Sequence, residues 1–126
     1  MISITLIDDD GVMNTLNRKM IEKRLGKENC EITEFTDPEE AVTHLIGLDK
    51  LPDYIFLDII MPLMNGWEVL EILEEELGTL DLDTNLIMAT SSLMPEDKMK
   101  AMAIPCVKHY IHKPIDTVSV HFIFQD

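Results

Sequence analysis

Short apolar runs alternate along the chain with longer segments of mixed polarity. Five of the runs are bounded by polar or turn-forming residues, which is the pattern of buried strands. The five predicted strands are Ile2–Ile7, "CEITEFT" (30–36), "DYIFLD" (53–58), "NLIMATSS" (85–92) and "VKHYIHKP" (107–114). The segments between them predict helices at Val12–Leu25, "TDPEEAVTHLIGL" (36–48), "NGWEVLEILEEEL" (65–77) and "MPEDKMKAMA" (94–103).

Residue types at the ends of these segments indicate where the helices begin and end. Asp37 is a good N-cap, and Pro38 suits the first helical position. Gly26 and Gly78 follow the first and third helical segments, as expected for residues that end helices. Apolar residues recur at helical spacing, as Met13, Leu16 and Met20 in the first segment and Trp67, Leu70, Leu73 and Leu77 in the third.

The alternation of strands and helices predicts an α/β fold. Its doubly wound parallel sheet would have five strands and helices on both faces, because strands without polar alternation are covered on both sides. A chain of 126 residues predicts one domain over 1–126, with room for a single core.

The segment after Pro114 has two readings. Asp116 is a candidate cap for a last helix, which would be short or atypical. Val118, Val120, Phe122 and Phe124 instead alternate as in a strand, which could pair with another chain and form a dimer.

The net charge of the chain disfavours some classes of function. Lys and Arg total 10 against 24 Asp and Glu, a formal charge of −14. This balance argues against direct binding of nucleic acid and is compatible with a cation or a basic partner surface. The sequence has no apolar stretch long enough for a membrane span. The start "MISITLIDDD" does not resemble a signal peptide, which predicts a cytoplasmic protein.

Polar groups stand where the predicted strands end. They are Asp8, Asp9 and Asp10 after the first strand, Asp58 in the third, Thr90, Ser91 and Ser92 in the fourth, and Lys113 in the fifth. Because ligands of parallel α/β sheets bind outside the carboxyl ends of the strands, these groups are expected to share one crevice.

Carboxylates held close together repel one another, and a hard divalent cation such as Mg²⁺ offsets that repulsion. Asp58 would then be a nucleophile beside a metal, able to attack phosphorus and form an acyl phosphate. Lys113 and the Thr90 hydroxyl are placed to share the charge of the phosphoryl oxygens.

Four segments in order resemble the response-regulator receiver domain of two-component signalling. They are "ITLIDDD", "FLDIIMPLMNGWEVL", "LIMATSS" and "YIHKPI", and the resemblance covers about residues 2–116. It implies the flavodoxin-like strand order 2-1-3-4-5 and a Mg²⁺-dependent phosphoacceptor. The implied roles are Asp58 as phosphoacceptor, Asp8, Asp9, Asp58 and the Ile60 carbonyl as metal ligands, Lys113 as the phosphoryl-binding lysine, Thr90 as the switch hydroxyl and Tyr110 as the switch aromatic. A cis Lys113–Pro114 bond is also implied.

The function implied by the resemblance is that of a stand-alone receiver without an output domain. It would take a phosphoryl group from a histidine kinase or a histidine phosphotransfer protein. It would then relay the group or signal through changed contacts with a downstream protein. Apart from phosphorylating and dephosphorylating itself, it would not be an enzyme.

Two other functions fit the residues less well. An interaction module that is never phosphorylated would not need the complete set of site residues. A phosphohydrolase of the haloacid dehalogenase type carries a second Asp two residues after the nucleophile, where this chain has Ile60.

Several polar residues near the crevice have simpler readings. Asp10 suits an N-cap of the first helix. Ser91 and Ser92 suit a loop or a cap for the helix that starts near Pro95. Tyr110 is alternatively interpreted as an ordinary aromatic residue of a strand, with no switch role.

Overall fold

The computed structural model describes residues 1–78, 84–113 and 115–125. The strands are β1 (Ile2–Ile7), β2 (Cys30–Phe35), β3 (Tyr54–Asp58), β4 (Asn85–Thr90) and β5 (Val107–His112). The helices are α1 (Gly11–Leu25), α2 (Pro38–Ile46), α3 (Gly66–Leu77), α4 (Pro95–Met102) and α5 (Thr117–Ile123), and a 3₁₀ turn covers Lys27–Asn29. All strand pairs are parallel and their order is β2-β1-β3-β4-β5, so the predicted fold class is confirmed.

The sheet separates two apolar layers, because neighbouring residues of each central strand point to opposite faces. Leu57 of β3 packs in the layer that contains the buried residues of α2 and α3. Phe56 of the same strand packs in the layer with Ile21 of α1 and Val120 of α5. Both faces of the central strands are therefore dry, which explains their nearly continuous apolar sequence.

The segment after residue 114 is a short helix, so the alternative strand is wrong. Asp116 caps α5, and its side chain accepts a hydrogen bond of 2.8 Å from the Ser119 N–H. The buried residues Val120, Ile123 and Phe124 follow helical spacing. Phe122 is 62% exposed, so the period-two pattern does not mark a buried face.

The apolar spacing through Leu16 also fails to mark the buried face of α1. Leu16 is 50% exposed, whereas Asn14, Asn17 and Ile21 are buried. Two polar residues thus lie on the inner side of this helix, close to the carboxyl end of β1.

The other helix signals are confirmed. The Asp37 side chain accepts a hydrogen bond from the Glu39 N–H and Pro38 is the first helical residue of α2. Gly78 ends α3, which buries Leu70 and Leu73. Among the helices of the described residues, none is both long and apolar enough to span a bilayer. The predicted cis bond before Pro114 lies outside the described residues.

Candidate functional site

The carboxyl ends of β1 and β3 and the residue after β5 bring three charged side chains into direct contact. Lys113 Nζ lies 2.8 Å from Asp8 Oδ2 and 3.0 Å from Asp58 Oδ2. Asp8 and Asp58 are 4% and 3% exposed, so the ammonium group neutralises carboxylates that have little contact with water. The Lys113 N–H also donates to the Thr90 carbonyl at 2.9 Å, which ties the end of β5 to that of β4.

Asp9 completes a cluster of three carboxylates. One ligand oxygen from each of Asp8, Asp9 and Asp58 lies within 4.8 Å of the others, and Asp9 is exposed to solvent. Oxygen donors with one solvent-facing member suit Mg²⁺, which binds few carboxylates and keeps several waters. The residues present therefore fit this metal.

The surroundings of Asp58 disfavour its charged form. Burial is the main cause and the Asp8 charge adds to it, while the Lys113 hydrogen bond opposes them; together they raise the pKa of Asp58 to about 6. Burial would lower the pKa of Lys113, but its hydrogen bonds to Asp8 and Asp58 outweigh that effect and raise it. Lys113 is thus cationic at neutral pH, where Asp58 is mostly ionised and available as a nucleophile.

Neither the Thr90 side chain nor the Tyr110 side chain forms a hydrogen bond with the carboxylates of Asp8, Asp9 and Asp58. Thr90 is fully buried and its Oγ1 accepts a hydrogen bond of 3.0 Å from the Ser92 N–H. The buried Tyr110 hydroxyl makes no well-formed hydrogen bond with a described residue, and its weaker polar contact is with the Ser92 side chain. Burial, together with the Asp97 charge, raises the pKa of Tyr110, so its hydroxyl stays protonated.

The Ser92 side chain bonds to Asp97 and not to the three clustered carboxylates. Its Oγ lies 2.5 Å from Asp97 Oδ2 and accepts a hydrogen bond from the Met94 N–H at 3.2 Å. Ser92 therefore stabilises the turn before α4, although Met94 and not a serine is the N-cap residue. Asp10 acts as predicted, since its side chain accepts from the Val12 N–H and caps α1.

The loop after Asp58 is fixed by close backbone contacts. The Gly66 N–H donates to the Ile59 carbonyl at 2.8 Å, and a Cβ on Gly66 would lie 2.7 Å from the Asp58 carbonyl oxygen. Only glycine fits this approach without a shift of the backbone. The Ile60 N–H donates to Asp58 Oδ1 at 3.3 Å, and the Ile60 side chain is 55% exposed at the rim.

Sequence reasoning missed Asn14. Its Nδ2 donates to the carbonyls of Asp8 and Phe35, both at 3.1 Å, and so joins the ends of β1 and β2. A signal was present in the sequence, because the two asparagines of α1 share one helical face while Val12 and Leu16 lie on another. Side-chain amides on the inner face of a helix indicate backbone groups that need a partner.

Comparison with protein families gives a match over almost the whole chain. The family model described as the response regulator receiver domain matches residues 4–123. The chemotaxis protein CheY of Halobacterium salinarum is 33% identical over 119 residues, which are 93% of this chain and 88% of that protein. A protein of Oryza sativa subsp. indica named probable histidine kinase 2 is 28% identical over 123 residues, 90% of this chain but 12% of the kinase.

Solved structures share the same architecture. A two-component response regulator from Cytophaga hutchinsonii matches with a TM-score of 0.83 and 29% identity, over 97% of this chain and 92% of that one. The chemotaxis protein CheY4 of Vibrio cholerae matches with a TM-score of 0.77 over 99% of this chain and 97% of that one. Its identity is 20%, so this second likeness concerns the fold alone.

Proposed function

Because the chain belongs to the response regulator receiver domain family, we propose that Asp58 accepts a phosphoryl group from a histidine kinase or a histidine phosphotransfer protein. The observation that supports this most is the contact of Lys113 with both Asp8 and Asp58 at the carboxyl edge of the sheet. Asp58 is a buried carboxylate that lies between a cation and two further acids, an arrangement that suits a phosphoacceptor. A structural ion pair between Lys113 and Asp58 would not need Asp9 beside it.

In the proposed reaction, an Asp58 carboxylate oxygen attacks the phosphorus of a phosphohistidine. The new O–P bond forms as the P–N bond breaks, and the imidazole leaves with the electron pair of that bond. Lys113, whose Nζ already lies 3.0 Å from Asp58 Oδ2, donates hydrogen bonds to the incoming phosphoryl oxygens.

We propose that Mg²⁺ is held by Asp8, Asp9, Asp58 and the Ile60 carbonyl. Bound there, the ion would supply positive charge for the phosphoryl oxygens. The protein's part is to keep the carboxylates close together, and the Asn14 contact with the Asp8 carbonyl contributes to this.

Thr90 and Tyr110 are proposed to convert phosphorylation into a change of shape. The Thr90 hydroxyl would turn from the Ser92 N–H toward a phosphoryl oxygen, and Tyr110 would move inward behind it. A charge-assisted hydrogen bond is worth roughly 1.5–3 kcal/mol, enough to change the populations of two arrangements.

The proposed output is a change in contacts with a downstream protein, or relay of the phosphoryl group to a histidine. The chain's own chemistry is limited to self-phosphorylation from small donors and slow self-dephosphorylation. We propose the cytoplasm as its compartment, where thiols stay reduced, in keeping with the buried thiol side chains of Cys30 and Cys106.

The proposed function is tested on the unmodified chain with a small phosphodonor such as acetyl phosphate. We expect the mass to rise by one phosphoryl group when Mg²⁺ is present and to stay unchanged with EDTA, because the clustered carboxylates then repel the donor. Hydroxylamine should remove the added mass, as expected for an acyl phosphate. Phosphorylation at the same rate in EDTA would contradict the metal site, and no phosphorylation under any condition would contradict the proposed function.

Replacing Ile60 with asparagine is expected to shorten the lifetime of the phosphoryl group several-fold. Neither Ile60 nor Ser92 offers a free group to orient an attacking water, because the first is apolar and the second is bonded to Asp97. An amide at position 60 would supply that group, and each tenfold in rate corresponds to about 1.4 kcal/mol of barrier. The lifetime is measured as loss of the added mass after removal of the donor.

The matched control for this variant is Leu63→Asn. Leu63 lies in the same loop, is 92% exposed and has a φ of 37°, a conformation that asparagine tolerates well. Its lifetime should equal that of the unmodified chain. Equal lifetimes for Ile60→Asn and Leu63→Asn would show that position 60 does not limit access of water.

A further inference from the structure

A groove lies between α3 and α4, formed by residues that have no part in the proposed phosphorylation. Its volume is about 270 Å³, and it is lined by Trp67, Leu70, Glu71, Glu74, Glu75, Lys100 and Ile104. The half-buried Trp67 ring forms its aromatic part, and Lys100 Nζ lies 4.5 Å from the centre of that ring. We call this the α3–α4 groove.

Three glutamates give one wall of the α3–α4 groove a strong negative charge. Glu71, Glu74 and Glu75 are exposed, and none of their side chains forms a hydrogen bond or an ion pair with any described residue. They are spaced three and four residues apart, where like charges on a helix repel. Glu74 and Glu75 lie in the last turn of α3, where negative charge interacts unfavourably with the helix dipole. That turn has no basic residue to compensate for them.

This arrangement costs helix stability, because Lys100 lies over Trp67 and forms no ion pair with the three glutamates. A further cation beside the glutamates would reduce the cost. We propose that the α3–α4 groove binds a basic segment of a partner protein that carries both arginine and an apolar residue. A second copy of this chain is a poor occupant, because each copy carries a charge of −14. Nucleic acid is excluded as an occupant by the same charge.

The groove offers a place for each part of such a segment. An arginine side chain would replace Lys100 on the face of Trp67, since a guanidinium stacks on an aromatic ring better than an ammonium does. An apolar side chain would lie against the half-buried Ile104, above the nearly buried Leu70. Further basic groups would pair with the three glutamates and relieve their mutual repulsion.

Trp67 makes the proposal directly measurable, because it is the only tryptophan of the chain. The test titrates the full chain with a short peptide of alternating Arg and Leu and follows Trp67 fluorescence and the heat of binding. We expect saturable binding that a peptide with Glu in place of Arg does not show. The Glu71→Gln, Glu74→Gln, Glu75→Gln triple variant should raise Kd about tenfold, which corresponds to about 1.4 kcal/mol.

A second triple variant separates the groove from the overall charge. Glu28→Gln, Glu31→Gln, Glu40→Gln changes the net charge by the same amount at exposed positions outside the groove. Because salt screens distant charges, its Kd should rise by less than about twofold. Equal weakening by both triples would overturn the proposal, since binding would then depend on net charge alone.

Lys100→Met is expected to strengthen peptide binding, whereas the glutamate triple variant weakens it. Removing the ammonium group that covers Trp67 should tighten peptide binding by about threefold. Unchanged or weaker binding would contradict the placement of arginine on the ring. If sedimentation shows that the chain forms dimers that the groove triple abolishes, the occupant is a second copy and the proposal is wrong.

The experiments distinguish a failure of the groove proposal from a failure of the proposed function. Far-UV circular dichroism and melting temperature establish that each variant is folded before binding is interpreted. The groove triple should accept a phosphoryl group from acetyl phosphate as the unmodified chain does, because the three glutamates are exposed and are not members of the carboxylate cluster.

Discussion

Replacing Asp58 with asparagine is expected to abolish phosphorylation from any donor. The amide lacks the nucleophilic oxygen that forms the O–P bond, yet it has the same shape as the carboxylate and can still accept a hydrogen bond from Lys113. The chain should therefore remain folded. Intact-mass measurement after incubation with Mg²⁺ and acetyl phosphate is expected to show no added phosphoryl group.

Asp10→Asn is the control for this variant. Asp10 is exposed and caps α1, and asparagine is an equally good cap, so the change removes one acid beside the site without disturbing the fold. Its phosphorylation should match that of the unmodified chain. Asp58→Asn labelled at normal stoichiometry would show that another residue is the phosphoacceptor, and peptide mapping would identify it.

The strands and most helix limits were predictable from the sequence because local physics determines them. A strand buried on both faces must be mostly apolar, as β3 is before Asp58, and Asp37 with Pro38 marks the start of α2 by its own chemistry. The last helix was not predictable to the same degree. Val118 and Phe122 happen to alternate with the buried Val120, so only tertiary packing distinguishes a seven-residue helix from a strand.

Convergence of the site residues was predictable from topology. Parallel strands place their carboxyl ends at one edge, and that rule alone brings Asp8, Asp58 and Lys113 together. Contacts that depend on the path of the backbone were not predictable. The particular partners of Asn14 and the Ser92–Asp97 hydrogen bond depend on how α1 and α4 pack on the sheet, and the spacing of polar residues in the sequence does not encode those contacts.

The contact of Lys113 with two carboxylates leads to a second strong effect, on stability. Lys113→Met is expected to lower the free energy of unfolding by about 3 kcal/mol at about pH 8 without Mg²⁺, because it leaves two carboxylates buried beside each other without a cation. Urea unfolding of both proteins measures the loss. Lys108→Met in β5 is the control, since Lys108 is exposed and its ammonium group donates to the Pro105 carbonyl but contacts no carboxylate among the described residues, and it should change stability little.

The loss caused by Lys113→Met should also depend on pH. The folded-state pKa of Asp58 is raised from 3.8 to about 6 even with Lys113 present, and loss of the cation raises it further. A carboxyl with a raised folded-state pKa destabilises the fold at pH values above that pKa, and the penalty fades as pH falls toward the unfolded value. The difference in free energy of unfolding between the variant and the unmodified chain should therefore shrink as pH falls from about 8 to about 4.

Asp58→Asn added to Lys113→Met should recover much of the stability at about pH 8, because one buried charge is gone. A loss that is independent of pH, or no recovery in the double variant, would show that Lys113 stabilises the fold through packing of its aliphatic chain and not through its charge.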